Sequence, residues 1–293
     1  MTTATIRPIT ASRHTERRPR ELVFVAALLV GLLVALVTLL VLVTDTAIDG
    51  VGHLDVAFFT SLDSRFPERA GILPALVGTL WLMGLVAAMT LPLGVGAAVY
   101  LHEFAPRTRL TRLIDLNVAN LAAVPSVVYG LLGLAVFVRG AGLGRSVLAG
   151  ALTLTLLLLP IVVVATREAL RGVPDSIRQA GFGVGATRLQ VVRHQVLPLA
   201  LPGIMTGMIL GLSRAIGETA PLITLGALTY VSFVPAGPGD RFTAIPIQVF
   251  NWVSRPQHEF QQVAAAGILV LLAILLVVNA GAIWIRGRYE RSW

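Results

Sequence analysis

The sequence predicts an all-α protein that crosses a membrane about six times. One reason is composition. Of 293 residues, 56% are hydrophobic and 13% charged, with a mean hydropathy of +0.82. A soluble domain carries roughly 25% charged residues to cover its surface. A second reason is the recurrence of uncharged runs of about 20 residues, the helix length that spans a hydrocarbon core about 30 Å thick. The third is the arginines between those runs, which are concentrated in alternate connections.

The first run is 22–44. Arg17 and Arg18 before it resemble a signal peptide, even a twin-arginine one. The run is too long for a signal's apolar region, and no small-x-small cleavage site follows at Asp45. A retained first helix behind a tail, 1–21, is therefore expected. The second run, 70–101, exceeds one crossing, so its helix tilts or runs from near Pro74 to near Tyr100. The third, 116–138, contains Pro125-Ser126, read as a kink. The fourth is 146–166, and the fifth, 196–230, is interrupted only by Arg214 and Glu218. The sixth, 260–285, precedes a short tail, 286–293. The last five runs make a core, 70–285.

Arginine asymmetry orients the chain. With the amino terminus in the cytoplasm, sixteen arginines fall inside: Arg7, Arg13, Arg17, Arg18, Arg20, Arg107, Arg109, Arg112, Arg167, Arg171, Arg178, Arg188, Arg193, Arg286, Arg288 and Arg291. Six fall outside: Arg65, Arg69, Arg139, Arg145, Arg241 and Arg255. Both termini are expected in the cytoplasm.

Two connections are long enough to hold structure. The inner one, 167–197, reads as two short helices. Pro174 suits a first turn, Asp175 and Ser176 suit its positive end, and Gly183 and Gly185 stop it. Val191, Val192 and Val196, with Arg188 and Arg193 between them, predict an amphipathic stretch along the interface. The outer one is 231–259.

Several chemistries are excluded. All 23 basic residues are arginine. Without lysine there is no Walker A loop to hold nucleotide phosphates and no Schiff base. Without cysteine there is no disulfide, thiol nucleophile or thiolate metal site. The histidines at 14, 53, 102, 194 and 258 show no metal-ligand spacing. No metal, cofactor or catalytic residue is expected. The net charge of +8 is spread between apolar runs rather than gathered on one module, so it argues for membrane lipids and against nucleic acid.

Arg214 and Glu218 are the sharpest polar signal. Four residues apart, they share a helix face and can pair. Charge at this depth is costly and usually faces a cavity or a partner. A structural ion pair is one reading and an anion pathway the other, because arginine presents planar, multiple donors to an oxyanion. Pro221 follows closely in Gly217-Glu218-Thr219-Ala220-Pro221 and removes a backbone donor, and broken backbone at this depth is tolerated where it lines a cavity. Upstream, Gly203, Gly207 and Gly211 recur every fourth residue, which permits close approach of a helix of this chain or of a partner.

The inner connection resembles the EAA loop of ABC importer membrane subunits at Ala180, Gly185 and Leu197-Pro198, departing from it at Gln179, Gly181 and Gln195. The flanks sharpen the likeness. Val173-Pro174-Asp175-Ser176, Val124 to Leu131 and Arg214 to Leu222 are similar to phosphate-specific importer subunits of the A type, and the resemblance runs from about Leu73 to the carboxyl end. It implies a type I ABC importer permease in a bacterial inner membrane, working with a C-type permease subunit, a cytoplasmic ATPase dimer and an extracytoplasmic phosphate-binding protein. It implies further that Arg214, Glu218 and Thr219 lie on the phosphate pathway and that Gln179, Ala180, Gly181 and Gly185 belong to the helix that couples to the ATPase. The family commonly carries another arginine where this chain has Val164, and Arg167, one turn along, is the candidate substitute. Alternatives are a sulfate or molybdate permease, the C-type sister, and a carrier working alone. A lone carrier usually shows internal repeats, and none is evident.

Overall fold

A computed structural model describes residues 19–227 and 231–289. Arg7, Arg13, Arg17, Arg18 and Arg291 of the orientation argument, and the end of the fifth run at Tyr230, lie outside the described residues. The chain divides into two compact units, Met1–Asp45 and Thr46–Trp293. Most of the helix α1 (Pro19–Gly50) lies in the first, and it is apolar all round, the pattern of a helix solvated by lipid.

The regular structure described in the second unit is helical, joined by irregular connections and one isolated bridge between Ser146 and Arg241. In order it contains α2 (Val56–Thr60), α3 (Leu73–Val99), α4 (Arg109–Leu121), α5 (Ser126–Gly133), α6 (Val147–Arg171), α7 (Asp175–Gly183), α8 (Arg188–Val191), α9 (Leu197–Gly217), α10 (Ala220–Leu225), α11 (Ile245–Val253) and α12 (Glu259–Tyr289). Among the described residues five helices are long and apolar enough to cross a membrane, or six if one bent pair counts as a span.

That pair corrects the expected third span. Helices covering Arg109–Leu121 and Ser126–Gly140 meet at 104°. Pro125 sits at the bend in extended backbone (φ −55°, ψ 136°), where proline's missing N–H stops a helix continuing. The Tyr129 hydroxyl donates to the Leu121 carbonyl at 2.9 Å and closes the corner. An uncharged run records hydropathy and not direction, so the break was read only as a kink.

The fifth span is corrected at both ends. One helical stretch of 30 residues covers Arg188–Gly217. The amphipathic stretch is therefore its first turns, with a wider turn at Val192–Val196, and Val191, Val192 and Val196 are buried in the bundle. The outer end stops at Gly217 rather than running on to residue 230.

The core is α6 sandwiched between α3 and α9. A Cβ on Gly207 would lie 2.4 Å from the Ala165 Cβ, and one on Gly203 would lie 2.7 Å from the Ala169 Cβ. These glycines let two backbones close to a distance no larger residue permits. Gly211 differs: its notional Cβ meets Val162 and Leu158 at 3.8 and 3.9 Å, which is ordinary contact. On the outer side Thr79 of α3 accepts from the Ile245 N–H at 3.0 Å, docking α11. Buried Asp63 accepts from the Trp252 indole at 3.0 Å and from Arg255 at 2.8 Å. Arg255 also lies 4.3 Å over the Phe260 ring. This cluster fixes the segment before α3 onto α11 and α12.

Gly207→Val should therefore lower stability by about 1–3 kcal/mol through overpacking. Gly211→Ala should leave it unchanged or raise it by up to about 1 kcal/mol, the helix-propensity gain. Thermal unfolding of the purified protein in detergent separates the two.

Candidate functional site

The last turn of α9 carries Arg214 and ends because of Pro221. A proline ring clashes with the carbonyl four residues earlier and supplies no N–H to it, and that residue is Gly217, where the helix stops. Glu218 is extended (φ −73°, ψ 114°) and its N–H reaches back to the Ala215 carbonyl at 3.2 Å. The Thr219 hydroxyl donates to the Gly217 carbonyl at 3.3 Å. The chain resumes as α10 and ends at Gly226, whose φ of +97° favours glycine.

Arg214 and Glu218 do meet, Nε to Oε1 at 3.1 Å. They pair across the end of the helix and not along one face, since Glu218 has left the helix. The guanidinium side chain is 54% exposed and the carboxylate side chain 15%. The pair therefore presents its positive half outward. Its depth follows from the α6–α9 register. Gly203 faces Ala169, Gly207 faces Ala165, and Gly211 touches Leu158, so Arg214 lies level with about Leu158, near the middle of α6.

The broken backbone is held from behind by α5. A Cβ on Gly130 would come within 2.6 Å of the Pro221 backbone, so α10 rests directly on that glycine. The sequence reading used Tyr129 and Gly130 only as part of a resemblance. Their structural work, closing the bend and seating the break, was not legible in it.

Arg167 is placed elsewhere. Its two Nη atoms donate to the Asp115 carboxylate at 2.5 and 3.1 Å, tying α6 to α4, while its Nε is buried and unbonded. By the same register it lies about nine residues, or roughly 13 Å of helix axis, from the level of Arg214 toward the carboxyl end of α6. The structure does not bring Arg167 to the Arg214–Glu218 pair.

The coupling-loop residues lie together on α7 and its exit. Gln179 and Ala180 are exposed. Gly181 packs on Val191, where a Cβ would stand 2.7 Å from Cγ2. Gly185 turns the chain with a φ of +81°, a conformation that L side chains resist. Phe182, Val184 and Leu189 expose apolar side chains around them.

What anchors this surface was missed by sequence reasoning. Arg178 donates through Nη2 to buried Glu103 at 2.8 Å and to the Leu170 carbonyl at 3.0 Å, and through Nη1 to the Val173 carbonyl at 2.8 Å and Asp175 at 3.1 Å. One guanidinium thus joins the turn after α3, the end of α6 and the start of α7. The available signal was Glu103, an acid closing a long apolar run. Ser213 of α9 also donates to Asn279 of α12 at 2.5 Å, a polar link inside two apolar helices.

Residues 90–292 match the family described as binding-protein-dependent transport system inner membrane component. The Mycobacterium tuberculosis H37Rv protein named phosphate transport system permease protein PstA 1 is 35% identical over 77% of this chain and 73% of its own length. A probable phosphate transport system permease protein PstA of Methanocaldococcus jannaschii is 36% identical over 72% and 74%. A probable ABC transporter permease protein, YqgI, of Bacillus subtilis is 31% identical over 89% and 90%. Among solved structures, a bacterial ABC transporter involved in the import of the acidic polysaccharide alginate superposes with a TM-score of 0.67 at 14% identity, over 93% of this chain and 98% of that one. The fold is thus shared with an ABC importer of known structure, and the chain belongs to the inner membrane components of binding-protein-dependent transport systems.

Proposed function

We propose that this chain is the A-type membrane subunit of an ATP-driven phosphate importer and that Arg214 and Glu218 contact the anion in transit. The observation that carries this reading is a guanidinium exposed at mid-bilayer depth beside a half-closed carboxylate at a helix break. Relatives named as phosphate permeases at about a third identity support the choice of anion. Arg214 supplies positive charge and planar donors. Glu218 accepts a hydrogen bond from the hydroxyl of protonated phosphate, a donor that fully ionised sulfate lacks. The Thr219 hydroxyl stands at the same break.

In this reading both termini face the cytoplasm, where an ATPase dimer docks on α7 through Gln179, Ala180 and the exposed Phe182 and Val184. A C-type permease subunit completes the pathway, and a phosphate-binding protein delivers the ion from outside. ATP-driven closure pushes α7. The Arg178 anchor passes that displacement to α3 and α6, and the glycine contacts pass it to α9 and Arg214. Arg167 is assigned to the α4–α6 tie with Asp115, so the pathway within this chain uses one arginine fewer than the family commonly has.

Arg214→Gln should cut radiolabelled phosphate accumulation by more than about tenfold with the complex still assembled, through loss of charge-assisted donors. Unchanged accumulation refutes the pathway. Glu218→Gln should narrow the preference for phosphate over sulfate in the same assay. Glu103→Gln leaves Arg178 with only the exposed Asp175 as counter-charge and loosens its tie to the turn after α3. It should lower transport per ATP hydrolysed in reconstituted vesicles, a ratio that mere loss of protein does not change. Arg167→Gln and Asp115→Asn should impair assembly and uptake in parallel. Uptake lost in the first alone would return Arg167 to the pathway.

A further inference from the structure

A groove of about 1100 Å³ opens on the cytoplasmic half of the bundle, between α3 and α9, with the last turns of α12 at its edge. Leu91, Pro92 and Val95 form one wall and Leu201 and Met205 the other, and the charged residues lining it are Arg193 and Arg288. No carboxylate lines it, and among the described residues neither arginine has an acidic partner. Arg288 lies 4.7 Å over the Trp284 ring, an aromatic of the kind that settles at the membrane interface.

Depth and direction are both defined. Ser213 meets Asn279 and Thr206 meets Arg286, so Arg288 is level with about residue 204, near the cytoplasmic end of α6. The arginines thus mark the mouth of the groove, and its apolar walls run inward along the membrane. Met205 precedes Arg214 by nine residues, which at roughly 100° per residue puts it about 180° around α9. The groove faces away from the anion pathway.

We propose that this groove binds an anionic phospholipid of the cytoplasmic leaflet, with its acyl chains along α3 and α9 and its phosphodiester held by Arg193 and Arg288. Basic pockets between transmembrane helices on the cytoplasmic side take anionic headgroups because positive charge and an apolar slot are offered together. The assignment does not depend on which ion is transported.

The test uses the full chain purified in detergent and titrated with dioleoyl phosphatidylglycerol or dioleoyl phosphatidylcholine, with bound lipid counted by native mass spectrometry. The anionic lipid should bind about thirtyfold more tightly, from two arginines near the headgroup. Arg193→Gln with Arg288→Gln should abolish that preference, and Arg193→Lys with Arg288→Lys should retain most of it. At Gly96, also on the lining, an added Cβ meets nothing within 4 Å. Gly96→Trp should therefore fill the groove and exclude both lipids without lowering the unfolding temperature. Equal binding of the two lipids to the unmodified chain, or unchanged binding in Gly96→Trp, overturns the proposal. So does displacement of the lipid by millimolar inorganic phosphate, which would mark a free-anion site. The chain lacks cysteine, so Gly96→Cys gives a unique thiol. Its cross-linking to another subunit of the assembled transporter would show a protein contact there and equally overturn the lipid assignment.

Discussion

The close approach of α6 and α9 is the contact on which the rest of the second unit depends. Two glycines on one helix meet two alanines on the other, which sets the register of the pair to within a residue. That register fixes the level of Arg214 along α6 and separates Arg167 from it. Between apolar helices in lipid no hydrophobic gain rewards association, so close packing and a few polar links carry it. Ser213 with Asn279 is one such link, and Thr79 beneath α11 is another.

The second constraint is that hydrocarbon does not tolerate an unsatisfied polar group. Each place where the helical ladder is interrupted has its own remedy. At the α4–α5 corner a tyrosine hydroxyl takes the Leu121 carbonyl. At the end of α9 the Thr219 hydroxyl donates to the Gly217 carbonyl that Pro221 sets free, and the Glu218 N–H donates to the Ala215 carbonyl. At the carboxyl end of α6, Arg178 donates to the Leu170 and Val173 carbonyls while its charge is met by Glu103 and Asp175. The remedies are local, yet each lies where two or three elements converge, so they also determine which elements are mechanically joined.

Much of this was legible in the sequence because bilayer physics writes itself as run length. The long helices, the first short helix of the inner connection, its stop at Gly183 and the turn at Gly185 follow from hydropathy, proline and glycine alone. Arg214 and Glu218 meet as their spacing suggested, but across the end of the helix and not along one face. What was not legible depends on residues far apart in the chain. Asp115 is 52 positions from Arg167, and Glu103 is 75 from Arg178, and no local period announces either pair. The 104° bend was hidden for a different reason. Residues 116–138 carry no charge on either side of Pro125, so an uncharged run passes through a corner that only backbone geometry reveals.

Arg214 shows why the second unit is not self-sufficient in a membrane. Its side chain is 54% exposed, and Glu218 neutralises it through one nitrogen only. A charged arginine facing lipid at a helix centre costs about 2.5–3.5 kcal/mol even on insertion scales, and its length cannot carry it to an interface from mid-depth. The same helix presents Leu210 and Gly217 on its exposed side, so the face is a mixed one. Lipid is the one surrounding that such a face excludes. Water, an anion or another polypeptide can each satisfy the free donors, and the proposed pathway would bring all three to Arg214. In that proposal the exposed guanidinium is the part of the anion's contact that this chain supplies.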